Sequence, residues 1–201
     1  MKIKSSLCLA LAFTLASPTV ALAQFSDSYN FLKAVRDKDG GKVTEITGKP
    51  GSTIVNTRDR STGETALHIV TQRRDVAWLD FMIAKGANPN LTDNEGTTPL
   101  MLATRLRFVE GAEKLIAGGA QVDKTNNSGE TPLIRAVQMR DMPLIRLLVS
   151  KGANPNKADA LAGMSARDYA VRDGRSQAII DILDSADKKA KPKGPVQGPV
   201  F

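Results

Sequence analysis

The chain has 201 residues, 41% of them apolar and 24% charged, which suits a globular protein with a sizeable core and excludes collagen-like, strongly disordered and polytopic membrane classes. Lys and Arg number 28 against 21 Asp and Glu, a formal net charge of +7, yet the excess lies at the ends: residues 24–186 hold 22 basic and 20 acidic side chains. A nucleic-acid-binding body needs its positive charge on the folded part, and aromatics at 4% are too sparse for base stacking, so no nucleic-acid partner is expected.

The first segment reads as an address. Lys2 and Lys4 form a positive start, Leu7 to Leu15 is almost wholly apolar, Pro18 breaks the run, and Ala21-Leu22-Ala23 offers the small residues of a signal-peptidase site. The apolar run is interrupted by Thr14, Ser17, Pro18 and Thr19, short of the roughly 20 residues a membrane span needs, so cleavage after Ala23 is expected and stable membrane insertion is not. Cys8, the single cysteine, lies inside this leader, and a cysteine-free exported chain fits a bacterial periplasm better than a disulfide-rich secreted setting. The expected location is the periplasm or the exterior.

A period of 33 residues organises the rest. Gly63, Gly96 and Gly129 are 33 apart and Gly163 follows after 34; Thr65, Thr98, Thr131 and Ser165 keep the same steps. In phase with them run Gly86-Ala87, Gly119-Ala120 and Gly152-Ala153, then Asn90, Asp123 and Asn156. Each Thr can cap a helix, with Pro99 and Pro132 at the first helical position, where a missing N–H costs nothing. Leu67 and Val70 recur as Leu100 and Ala103, then Leu133 and Ala136, at helical spacing. A second apolar run carries Trp78, Leu79, Met82 and Ile83, then Leu115 and Ile116, then Leu144, Ile145, Leu147, Leu148 and Val149, and the Gly-Ala pairs stop it. Each unit is therefore helix, turn, helix, extended turn.

Gly63-Glu64-Thr65-Ala66-Leu67-His68, Gly96-Thr97-Thr98-Pro99-Leu100-Met101 and Gly129-Glu130-Thr131-Pro132-Leu133-Ile134 resemble the ankyrin motif, each followed by its Gly-Ala-x-x-Asn/Asp ending. The resemblance implies an all-α solenoid of about five stacked helix-turn-helix repeats with β-turn tips. Residues 60–92, 93–125 and 126–158 are full repeats. Residues 27–59 form a divergent N-terminal repeat with Phe31–Val35 as its first helix and Val55-Asn56 as its ending. Residues 159–186 form a C-terminal capping repeat with one inserted residue, in which Arg167 stands where the motif has a core leucine, so a loose fit is expected there. The repeat domain thus spans 24–186, and 187–201, rich in Lys, Pro and Gly, reads as a disordered tail.

Little in the chain serves catalysis. Without the leader there is no thiol, and the single imidazole, His68, stands where the motif commonly has histidine; its expected work is hydrogen bonding between neighbouring turns. One histidine leaves no zinc set, and Asp93-Asn94-Glu95 is an ordinary repeat turn rather than a calcium loop. Gly40-Gly41-Lys42 fails as a phosphate loop because Val43 replaces the metal-binding hydroxyl and Arg36 the first glycine. Glu110 and Glu113, and Asp181 and Asp184, fall at helical spacing as solvated faces, while Trp78 and Phe81 read as core. The chain is thus expected not to be an enzyme and to need no cofactor or metal.

By the resemblance, turn tips and first helices carry the partner surface. Glu64, Glu95 and Glu130 give each tip one carboxylate; Arg73, Arg105, Arg135, Gln138 and Arg172 lie on the first helices, with Leu106 and Met139 between them. The expectation is an acidic set of fingertips above a basic palm with an apolar centre, on a monomeric protein-binding scaffold that serves an envelope protein as accessory or regulatory factor. The alternatives are an inhibitor or immunity-type binding protein, a hydrolase with an acidic groove, and a surface tether using the lysine-rich tail.

Overall fold

The structure is a computed structural model that describes residues 19–49, 51–174 and 177–190. The leader up to Pro18 and the tail from residue 191 fall outside the described residues. Ten helices and no named strand occur among the described residues. They are α1 (Thr19–Arg36), α2 (Gly40–Thr47), α3 (Ala66–Gln72), α4 (Val76–Ala84), α5 (Pro99–Arg105), α6 (Val109–Ala117), α7 (Pro132–Gln138), α8 (Met142–Ser150), α9 (Ala166–Asp173) and α10 (Gln177–Ala190), with a 3-10 turn at Ile54–Asn56. The first helices pack on one another in order, α1 on α3, α3 on α5, α5 on α7 and α7 on α9. The second helices do the same, α4 on α6, α6 on α8 and α8 on α10. This is an all-α solenoid, two helices thick.

Small buried residues recur in phase and let the first helices approach: Val70, Ala103, Ala136 and Ala170. Beside them Leu67, Leu100 and Leu133 fill one continuous core, each worth about 1.5–3 kcal/mol of transfer free energy. Thr98 and Thr131 cap α5 and α7 by accepting from Met101 N–H at 3.2 Å and Ile134 N–H at 3.1 Å. Pro143 sits in the first turn of α8, which Asp141 caps through Leu144 N–H. At the core-leucine position of the last repeat, Arg167 hydrogen-bonds Asn156 and forms an ion pair with Asp184, tying α9 to α10 instead of leaving the unit loose.

The tips are hairpin turns laid side by side. Asp93 N–H donates to Thr97 O and Asn126 N–H to Glu130 O within a tip. Between tips, Asn94 N–H crosses to Thr62 O (3.0 Å), Asn127 N–H to Glu95 O (3.3 Å) and Ala160 N–H to Ser128 O (2.9 Å). Gly63 and Gly96 are needed twice over: their φ angles are +75° and +77°, and a Cβ would meet the next tip's Asn94 or Asn127 N at 2.7 Å.

Two features depart from the expected pattern. The first helix was expected over Phe31–Val35, but α1 runs from Thr19, so residues 24–28 are helical and the first repeat has no tip. The tail was expected from residue 187, but α10 continues to Ala190. A third feature went unread: Lys38, Arg74, Arg107 and Arg140 hold the turn between first and second helix at φ of +51° to +60°, where glycine is the usual occupant. Each reaches into the next repeat. Lys38 pairs with Asp75 (2.6 Å), Arg107 donates to Met139 O (3.0 Å), Arg140 pairs with Asp173, and Arg74 donates to Arg107 O and lies over the Phe108 ring.

Candidate partner-binding surface

Tips and first helices share one side of the solenoid, and between neighbouring repeats they leave open depressions. The best furnished lies between α5 and α7, roughly 460 Å³, and brings together Glu95, Arg105, Glu130 and Arg135 over a floor that includes Met101 and Thr131. Glu130 and Arg135 are already spent on each other, 2.9 Å apart, with the carboxylate mostly covered. Glu95 is exposed at its tip, and Arg105 is exposed in the last turn of α5 with no ion pair among the described residues. The groove thus offers one carboxylate and one guanidinium to a visitor beside a ready-made ion pair.

The other expected residues are scattered. Glu64 and Arg73 border a smaller depression between α1 and α3. Gln138 and Arg172 line one between α7 and α9, where the Arg172 guanidinium lies 4.9 Å from the Tyr169 ring centroid. The Tyr169 hydroxyl donates to Asp159 at 2.6 Å, which holds that carboxyl below its ordinary range and the phenol above its own.

The basic palm is corrected at Arg73. Its guanidinium turns inward, donating to Val35 O (2.6 Å) and Arg36 O (3.1 Å) at the C-terminal end of α1 and stacking on Trp78. A cation there satisfies carbonyls the helix leaves open and complements its dipole. Arg73 is a clamp between repeats, not a presented charge. The apolar centre is half-covered. Leu106 and Met139 are the C-terminal caps of α5 and α7; both are half-buried, and Leu106 packs on the core.

His68 works as its position suggests. Nδ1 lies 3.1 Å from Thr65 N and 2.9 Å from Thr65 Oγ1, while Nε2 lies 2.9 Å from Thr97 O in the next tip. A carbonyl only accepts, so the proton sits on Nε2, and burial lowers the pKa of the ring. Asp39 accepts from Lys42 N–H at the start of α2, filling with its own carboxylate the place where a phosphate would sit. Asp93 accepts from Glu95 N–H and Thr97 N–H, the geometry of a turn, and Asp184 is taken by Arg167. No helix among the described residues is long and apolar enough to cross a membrane.

The row of Lys38, Arg74, Arg107 and Arg140 escaped sequence reasoning although the last three repeat at 33-residue steps, because positive φ is sought at glycine. Comparison with curated proteins gives no match. A family model does match: the one described as ankyrin repeats (3 copies) covers residues 31–126 and again 108–192. With stacked helix pairs, hairpin tips and this match over most of its length, the chain belongs to the ankyrin repeat family.

Proposed function

We propose that the chain is an exported, non-enzymatic protein-binding scaffold of the bacterial periplasm, which holds a folded partner against its tips and first helices as an accessory or regulatory factor. The groove between α5 and α7 carries the reading: Arg105 and Glu95 stand open at a preformed surface whose Glu130–Arg135 pair is already made. A rigid surface loses little ordering entropy on binding. A partner bound only in its folded state gains stability by mass action, about 2.7 kcal/mol at a hundredfold excess over Kd. Lys2, Lys4, the apolar run and Ala21-Leu22-Ala23 support export and cleavage after Ala23. The only cysteine then leaves with the leader, and the only imidazole is committed to the turns, which supports binding without turnover.

The test is affinity capture from envelope extract with the wild-type protein and with Arg105→Glu and Glu95→Lys. The expected result is a recurrent partner whose recovery falls at least tenfold with either variant while far-UV circular dichroism is unchanged, about 1.4 kcal/mol of binding. Full recovery with both would reject the groove. Intact mass of the exported protein should give Gln24 as first residue; an unprocessed chain retained in the cytosol would reject the location.

A further inference from the structure

Large exposed apolar side chains are few among the described residues: Tyr29, Leu161 and Val171. Tyr29, 64% exposed, borders a cavity of roughly 290 Å³ at the N-terminal end of the tip row, walled by Leu32 and Arg36 of α1 and by Arg58, Asp59 and Ser61 of the first tip. The cavity follows from the fold. Tips after the first lean on a predecessor, but α1 runs straight through residues 24–28, so among the described residues no preceding tip pairs with Arg58–Ser61 and the helix α1 itself forms the facing wall.

The open edge is closed to backbone pairing. In later tips, Asn94 N–H and Asn127 N–H cross to the preceding tip; the corresponding Ser61 N–H and hydroxyl instead donate to Asp59 Oδ1 at 2.9 and 2.6 Å. What remains for a visitor is side-chain chemistry. The wall is mostly apolar, and the rim carries Arg36, Arg58 and Arg60 against one carboxylate, Asp59, which pairs with Arg36 at 2.7 Å. Hydrogen bonds from Ser61 and Arg36 hold Asp59 ionised far below the usual range, and even with that carboxylate charged the three guanidinium groups leave the rim net positive at neutral pH. Arg58 is exposed, its Nε anchored on Gly63 O at 3.2 Å. Tyr and Arg are the side chains that most often dominate binding energy at interfaces.

We propose that this cavity docks an acidic segment of a partner protein bearing one aromatic anchor, the ring seated against Tyr29 and Leu32 and the flanking carboxylates over the Arg58 rim. The site is separate from the groove between α5 and α7, and neither depends on the other.

The test uses the protein purified after expression of the full chain and three fluorescein-labelled hexapeptides, read by fluorescence anisotropy. One has a single phenylalanine flanked by Asp and Glu, one replaces that phenylalanine by serine, and one replaces the acids by lysine. The expected result is saturable binding of the first peptide, at least tenfold weaker binding of the other two, and weakening at 300 mM salt. Tyr29→Ser and Arg58→Glu should each reduce affinity at least tenfold with unchanged circular dichroism, Arg58→Lys should keep most of it, and Arg105→Glu should keep all of it. Failure of the first peptide to saturate, equal binding of the serine peptide, indifference to Tyr29→Ser and Arg58→Glu, or loss with Arg105→Glu would each overturn the proposal. The Arg105→Glu arm separates this site from the scaffold groove, which can stand or fall independently.

Discussion

The tip row makes a prediction about two glycines of the same repeat. Gly96 and Gly119 both have positive φ, +77° and +93°, and alanine in that region costs about 1–2 kcal/mol from backbone strain alone. Around Gly119 a Cβ meets nothing within 4 Å, so Gly119→Ala should cost that strain and no more. At Gly96 the same Cβ would stand 2.7 Å from Asn127 N and collide with its side-chain oxygen, so the fourth repeat's tip must withdraw. Withdrawal loses the bonds from Asn127 N–H to Glu95 O and from Asn127 Nδ2 to Asn94 O, each worth about 0.5–1.5 kcal/mol. Gly96→Ala should therefore cost about 2–5 kcal/mol, roughly 1–3 more than Gly119→Ala. Urea titrations at constant m-value, followed by far-UV circular dichroism, read the difference as a midpoint shift. Trimming Asn127 to glycine should rescue Gly96→Ala only in part, because the backbone contact remains. Equal losses at Gly96 and Gly119 would show that the tips are not held at the spacing described.

Two further outcomes follow from buried contacts. His68 is held neutral and burial lowers its pKa, so the unfolded chain binds the extra proton more readily. Stability should be full above the ordinary imidazole value of about 6.5 and fall as pH drops through it toward the lower folded value. Because the chain has one histidine, His68→Gln should flatten the slope of urea midpoints between pH 7.5 and 5, and a wild-type midpoint that stays level would contradict the assignment. The other concerns α6, where Phe108 replaces the capping Asp75 and Asp141 of neighbouring repeats and lays its ring against Gly111 so closely that a Cβ there would overlap it. Gly111→Ala should destabilise the wild type by about 1–3 kcal/mol yet stabilise Phe108→Asp by about 1 kcal/mol, since the cap is then restored and glycine is a poor helix former. A double-mutant cycle by chemical denaturation checks the reversal of sign; additive effects would refute it.

What the sequence made legible is what acts within one repeat or at a fixed step between repeats. The Thr caps, the prolines after them, the leucine and alanine rows and His68 are local or strictly periodic, so the 33-residue step carries them directly into helices and tips. The misread residues belong to contacts whose partner shares no pattern with them. Arg73 looks like a polar face because nothing near it names the end of α1, whose carbonyls it closes. Leu106 and Met139 share its register as the C-terminal caps of α5 and α7. The tail boundary slipped because Lys188, Lys189 and Ala190 favour helix and extend α10 despite their low-complexity surroundings.

The same distinction bears on recognition. Framework residues recur at one position in every unit, so they build the surface without distinguishing one groove from another. Glu64 and Glu130 hold equivalent places, but only the fourth repeat has an arginine five residues on to pair with; the second has Ile69 there. Glu95 instead aligns with Thr62 and Ser128, and Arg105 with Gln72 and Gln138. The groove between α5 and α7 is therefore chemically unlike its neighbours through the very residues that break the period. A partner that grips it is held in one register along the solenoid, because sliding by one repeat toward the N-terminus would set its charges against Gln72 and Leu102.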